Sequence, residues 1–283
     1  MASDQATEKV REVWEAMSPG WERRREFLDE FTRDITDWMV RELDARPGET
    51  ILELAAGTGD IGFTVAPALG SSGTLITSDL SSGMVEVAKR RAAERGVTNS
   101  SKLDFRVLDA TNTGLDDDSV DGILCRWGYM LMPDPAAAFA ETRRVLKPDG
   151  RHVLSVMGNP AGSAWVTVIS KALVSLKMMP AVDPNAPGGV FSLSDPGKLT
   201  AMMEDAGYRD VRTEEMEFHL RFPDFDDYWS FILEFAGAAA VLVRSFPEDQ
   251  QRTVRDETER ISEPYRSGQG YDFPGLTVNA VVT

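Results

Sequence analysis

"ELAAGTGDIG", residues 53–62, holds Gly57, Gly59 and Gly62 in the spacing G-x-G-x-x-G. The residues before it, "TILEL" (50–54), read as a buried strand, and the stretch from about Gly59 to Leu69 reads as a helix. A glycine turn between strand and helix, with Asp79 twenty residues past Gly59, is the fingerprint of a dinucleotide pyrophosphate site. Three details point away from phosphate. Glu53 stands inside the strand, where a carboxylate is costly unless it faces a cation or donors. Asp60 and Asp109 add negative charge to the same crevice, which repels a pyrophosphate and suits an ammonium or a sulfonium. Ala55 and Ala56 precede Gly57, so the first glycine of the turn arrives two residues late.

Working outward, Arg24 to Leu43 puts Phe27, Phe31, Ile35, Met39 and Leu43 on one face, predicting an amphipathic helix that "PGE" (47–49) ends. "GTLITSD" (73–79), "LDFRVLD" (103–109), "VDGILC" (120–125) and "RHVLSVM" (151–157) read as further strands. Ser81 or Ser82 caps a helix that stops at Gly96, and Asp134-Pro135 starts another that ends at a "KPDG" turn (147–150). Strands alternating with helices imply a doubly wound, mostly parallel α/β sheet, whose ligands bind at the carboxyl ends of the strands. Residues 159–197 and 222–272 break the rhythm and read as cap insertions over that site. "VRTEEMEFHL" (211–220) and "LTVNAVV" (276–282) supply late strands. Residues 1–45 form an N-terminal helical segment, and 46–283 the main domain.

The chain has 283 residues, enough for one large α/β domain with insertions. Its net charge of −16 argues against nucleic acid or an anionic membrane as partner. Cys125 is the sole cysteine, so no internal disulfide can form, and a reducing cytoplasm is the expected compartment. The N-terminal "MASDQATEKV" lacks the features of a signal peptide, and "FAGAAAVLV" (235–243) is too short to span a bilayer. One cysteine and two distant histidines form no metal-ligand cluster.

"ILELAAGTGD", "SDLSSGM", "FRVLDATNTGLDDDSVDGIL" and "AAAFAETRRVLKPDGRHVLSV" resemble, in order and spacing, the class I S-adenosylmethionine-dependent methyltransferases, and within them the group of quinone biosynthesis. The resemblance covers roughly residues 45–160. It implies a Rossmann-like, seven-stranded sheet with an antiparallel C-terminal strand and a helical cap. It also implies S-adenosylmethionine as cofactor, S-adenosylhomocysteine as product and a small, apolar methyl acceptor. By motif, Glu53 and the loop Ala55, Gly57, Thr58 and Gly59 lie against the cofactor's methionyl part. Asp79 accepts from the ribose hydroxyls with Leu80 beside it, Met84 packs on adenine, and Asp109 and Ala110 meet the adenine edge. Arg126 follows strand four where cofactor and substrate meet, and Trp21 belongs to the segment folded over the cofactor. Trp127, Tyr129, Trp165, Trp229 and Phe235 are the substrate-pocket candidates, because an aromatic cap suggests an apolar pocket. One departure from the family is Ala55, where a glycine is usual.

Each of these residues also has a plainer reading. Gly62 serves close packing of helix on sheet; Asp79 and Asp109 cap the turns after them; Met84 fills core; Glu53 and Arg126 pair with buried partners. His152 is structural in strand five, whereas His219, near the cap, is the one candidate base. Two other functions stay open at this point: a methyltransferase-like fold doing hydroxylation or decarboxylation, and an NAD-dependent oxidoreductase using the same glycines.

Overall fold

Ile51 and Leu52 point to opposite faces of one strand and both are fully buried, because helices cover the sheet on both sides. The computed structural model describes residues 2–235 and 237–282; Met1, Ala236 and Thr283, which fall within the expected segments, lie outside the described residues. Three helices lead in: α1 (Ala2–Arg23), α2 (Arg25–Phe31) and α3 (Arg33–Leu43). The series β1 (Thr50–Glu53), α4 (Asp60–Leu69), β2 (Thr74–Asp79), α5 (Ser82–Glu94) and β3 (Lys102–Val107) follows. Next come β4 (Val120–Arg126), α6 (Pro135–Val145), β5 (Leu146–Met157), α7 (Ala164–Ser175), α8 (Pro196–Asp205) and β6 (Arg212–Phe222). The chain closes with α9 (Phe225–Phe235), α10 (Gly237–Ser245), α11 (Glu248–Ser262), β7 (Arg266–Ser267) and β8 (Gly270–Val282).

The sheet runs β3-β2-β1-β4-β5-β8-β6, with β7 paired to β8. The two-residue β7 makes it eight strands where seven were expected. β1 to β5 are mutually parallel, and β8 runs antiparallel to β5, β6 and β7. The chain leaves β1 toward one edge and returns at β4 to build the other. That reversal opens a crevice at the carboxyl ends of β1 and β4.

The expected caps are in place: Ser81 Oγ accepts from Met84 N–H, and Asp134 accepts from Ala137 N–H ahead of Pro135. Other expectations need correction. The helix read from Arg24 to Leu43 divides at Thr32, whose hydroxyl donates to Leu28 O. The i to i−4 bonds from Thr32 and Thr36 N–H carry across the break, so Phe31, Ile35, Met39 and Leu43 still share a buried face. "KPDG" is a bulge inside β5 rather than a turn before it, since Val120 pairs with Leu146 and Gly122 with Arg151. β3 stops at Val107, leaving Asp109 in the following loop. The final strand starts at Gly270, six residues before Leu276, which ends the second insertion earlier than expected.

Candidate active site

A cavity of about 190 Å³ opens at the carboxyl ends of β1, β2 and β4. Its walls include Glu53, Ala55 to Gly57, Asp79, Leu80, Met84, Asp109, Ala110 and Arg126 from the sheet and its loops. Trp14 and Trp21 of α1, Trp165 of α7 and Phe235 of α9 close it. α1 is tied down at both ends of this span. Glu15 accepts from Ser82 Oγ and Gly83 N–H at the start of α5, where a helix N-terminus favours a carboxylate. Arg23 and Arg24 donate to Glu234 of α9, and Arg24 also reaches Asp227. Trp21 stacks on Phe235 with centroids 4.5 Å apart.

The amides of the three motif glycines are already taken. Gly57 N–H donates to Asp79 Oδ2 at 3.0 Å, Gly59 N–H to Ala56 O at 2.8 Å, and Gly62 N–H to Glu53 Oε1 at 3.0 Å. A pyrophosphate site needs such donors free. Here two of the three serve carboxylates, so the loop is built to present negative charge. Asp79 also accepts from Ser81 N–H at 2.9 Å. Burial pushes its carboxyl up to about 6 despite those two donors. Burial pushes Glu53 further, to about 8, against the single Gly62 N–H, and the nearby Asp60 charge adds to the rise. Glu53 lines the cavity, and its Oε2 is buried against Gly62 without a hydrogen-bond partner.

Of the residues that the sequence nominated for the cofactor, Glu53, Ala55, Gly57, Asp79, Leu80, Met84, Asp109, Ala110, Arg126 and Trp21 line the cavity; Thr58 and Gly59 do not. Thr58 turns its hydroxyl to Asp60 Oδ2, and Gly59 takes φ +82 with Phe63 against its Cα. Asp60, expected to add charge to the crevice, faces away from it and pairs with Arg91 of α5. Asp109 lines the cavity and also caps its own turn, accepting from Thr111 N–H and Oγ1, both at 2.8 Å. Arg126 is held by the hydroxyls of Thr32 at 2.7 Å and Thr36 at 3.0 Å, and its guanidinium lies over the Trp127 ring. The plain reading of Gly62 as packing is also refined, because a Cβ there would collide with Glu53 Oε2.

Among the substrate-pocket candidates, Trp127, Trp165 and Phe235 line the cavity, whereas Tyr129 and Trp229 do not. Tyr129 is fully buried under α6, bonded to Thr142 and His152. Trp229 stacks on Phe225. His219 sits on the outer strand β6 with its Nδ1 2.7 Å from Asp272, away from the cavity, so the candidate base has no access to it. His152 is a core residue, pushed down to about 3 by burial and bonded to Tyr129 and Tyr208. The sequence reading missed Met157 at the end of β5 and Val190 between α7 and α8 as wall residues. The first had a signal in its place at a strand's carboxyl end; the second had none.

A parallel sheet reversing between β1 and β4, one antiparallel strand at its far side, and carboxylates at the ends of β1 and β2 define the class I methyltransferase fold. Residues 51–150 match the family model described as a methyltransferase domain. The chain is 27% identical over 159 residues to a ubiquinone/menaquinone biosynthesis C-methyltransferase of Coxiella burnetii, covering 56% of this chain and 63% of the relative. It therefore spans less than two thirds of that relative's length. It is 28% identical over 208 residues to the nocamycin O-methyltransferase of Saccharothrix syringae, covering 69% of this chain and 71% of the relative. A methyltransferase structure from Bacillus halodurans shares the fold, with TM-score 0.56, 18% identity, 87% of this chain and 96% of that chain covered.

Proposed function

We propose that this chain is an S-adenosylmethionine-dependent methyltransferase acting on a small, apolar acceptor. The observation that carries the reading is the occupation of the Gly57 and Gly62 amides by Asp79 and Glu53. It leaves a crevice lined by Glu53, Asp79 and Asp109, suited to a cationic cofactor and unsuited to the diphosphate of NAD. Bound S-adenosylmethionine supplies a methyl group already activated on a sulfonium sulfur. Glu53 and the loop Ala55–Gly57 would hold its charged end, Asp79 its ribose hydroxyls, and Met84, Asp109 and Ala110 its adenine. The chain's own contribution is orientation and dryness. Aligning two reactants can be worth about 7 to 11 kcal/mol, and the indoles of α1, α7 and the β4 loop exclude water from the meeting point.

The acceptor atom follows from neither relative alone, since one is named for carbon and the other for oxygen methylation. No helix among the described residues is long and apolar enough to cross a membrane. The buried lone Cys125 supports a cytoplasmic setting, and the charge of −16 supports a partner other than nucleic acid. Calorimetry separates this reading from the oxidoreductase: S-adenosylhomocysteine is expected to bind and NADH to give no heat. Label from methyl-tritiated S-adenosylmethionine appearing in an acceptor distinguishes it from non-methylating chemistry on the same fold.

A further inference from the structure

α1 meets the rest of the chain differently at its two ends. Its last turn is anchored by Glu22 to Arg90 at 2.9 Å and by Arg23 to Glu234 at 2.8 Å. Arg24, next in the chain, adds bonds to Glu234 and Asp227, both at 3.0 Å. From Gln5 to Ala16 no residue is buried, and Glu15 is the one described side chain in that stretch that hydrogen-bonds outside α1. Its carboxylate accepts from Ser82 Oγ at 2.8 Å and from Gly83 N–H at 3.0 Å. A Cβ on Gly83 would lie 2.6 Å from Glu15 Oε2 and 2.8 Å from Ser18 Oγ, which accounts for a glycine inside the first turn of α5. Between the two attachments stands Ser18-Pro19-Gly20. Pro19 has no N–H to give Glu15 O, which accepts from Ser18 Oγ at 3.1 Å instead, so the helix ladder is interrupted there.

The arm from Ala2 to Met17 lies over the cofactor end of the cavity. Thr7, Val10 and Trp14 line it, and the latch points Ser82 and Gly83 fall between the lining residues Leu80 and Met84. We propose that this arm swings about Pro19 to admit and release ligand, and that Glu15 is the positioning residue that latches it shut. The ligand's identity rests on the methyl-transfer reading above; the latch does not. A carboxylate at a helix N-terminus holds by charge as well as by hydrogen bonds. With nothing buried from Gln5 to Ala16, opening exposes little apolar surface, so the arm can part from α5 while the core stays folded. The latch also acts on the site: burial chiefly raises the Asp79 carboxyl, and the Glu15 charge adds to the rise. Closing the arm and holding the ribose thus draw on one short stretch of chain, Asp79 to Met84.

The amide of Gly83 reports the latch directly. Ser81 Oγ, the cap of α5, is taken by Met84 N–H, and Gly83 N–H has its acceptor in Glu15. Hydrogen exchange followed by NMR on the whole, unliganded chain is expected to find this amide exchanging at least about a hundredfold faster than those of β1. It is expected to be about tenfold slower than in Glu15→Ala. S-adenosylhomocysteine should slow it further. Release of that ligand, followed by stopped-flow tryptophan fluorescence, is expected to be about tenfold faster from Glu15→Ala and from Gly83→Ala. Because both variants remove one contact, the double variant should release no faster than either. Gly83 protected as strongly as β1, release unchanged in Glu15→Ala, or effects that multiply in the double variant overturn the proposal. If Gly83→Ala fails to fold, Glu15→Ala decides alone. Should S-adenosylhomocysteine not bind, the methyl-transfer reading falls, and exchange at Gly83 still judges the latch.

Discussion

Gly62 donates its N–H to Oε1 of Glu53 at 3.0 Å, and the space where its own Cβ would stand is filled by Oε2 of the same carboxyl. One glycine thus both binds the Glu53 side chain and makes room for it, at the first turn of α4. Gly62→Ala is expected to force the carboxyl out of its buried place. The cost is about 2 to 3 kcal/mol of stability, typical of overpacking, together with weaker S-adenosylhomocysteine binding. Urea unfolding and calorimetry on the variant measure both, and an unchanged midpoint would remove the contact from the account.

Glu53 and Asp79 make the protein's stability fall as pH rises. Their folded values, about 8 and about 6, lie above the ordinary 4.5 and 3.8, so the folded chain holds more protons than the unfolded chain between those limits. The stabilisation is complete below the unfolded values and is lost as pH climbs through the folded ones. The midpoint temperature is expected to drop from about pH 5 to about pH 8, by up to a few kcal/mol in free energy. Glu53→Gln should flatten the upper part of that slope. A cationic ligand favours the ionised carboxyl, so S-adenosylmethionine affinity should rise over the same interval, with protons released on binding.

Asp79 accepts from the loop at Gly57 and from the start of α5 at Ser81, so its two oxygens join the elements on either side of the cavity. Asp79→Ala removes a charged acceptor from the ligand and orphans two buried amides. A loss of about 1.5 to 3 kcal/mol in S-adenosylhomocysteine affinity is expected per charge-assisted bond lost, with lower thermal stability besides. Unchanged affinity in a folded variant would take Asp79 out of the site.

The core series was legible because its signals are local. Asp134 before Pro135, Ser81 after a strand and the glycine spacing each act within four residues of themselves. What was misread depends on contacts distant in sequence. Asp60 looked like part of an acidic crevice because nothing near it reveals that Arg91 arrives from α5 to neutralise it. Tyr129 and His219 have the composition of site residues, yet one lies beneath α6 and the other on the outer strand. The start of β8 was hidden because Gly270, Pro274 and Gly275 read as turn residues, although β8 pairs with β6 from Tyr271 to Val281.

The pair Arg91–Asp60 carries its own prediction. Both side chains are almost wholly buried, and Arg91 also donates to Thr58 O at 3.0 Å, pinning the loop to α5. Arg91→Met would leave Asp60 buried with only Arg95 at 3.7 Å and Arg126 at 4.0 Å. A loss of about 3 kcal/mol is expected, toward the lower end for a broken buried pair because those two cations remain. Asp60→Asn in the same background should recover part of it by removing the unpaired charge, which a denaturation series on the double variant reads directly.

Ala55 has φ +49, so it bears a conformation that an L side chain adopts at a cost of about 1 to 2 kcal/mol. Its Cβ meets the loop after β4: a Cβ added to Gly128 would lie 2.7 Å from it and 2.6 Å from Cys125 Sγ. Ala55→Gly relieves the strain but loosens the unfolded chain, so a net gain of up to about 1 kcal/mol is expected. Gly128→Ala should lose about 1 to 3 kcal/mol by collision alone, since Gly128 has φ −91 and needs no special backbone. Combining the two removes the contact with Ala55 and keeps the one with Cys125. The double variant should therefore be more stable than the sum of the single effects by about 1 kcal/mol. Strict additivity in thermal denaturation would mean that the two loops do not press on each other, and that Ala55 is tolerated here for another reason.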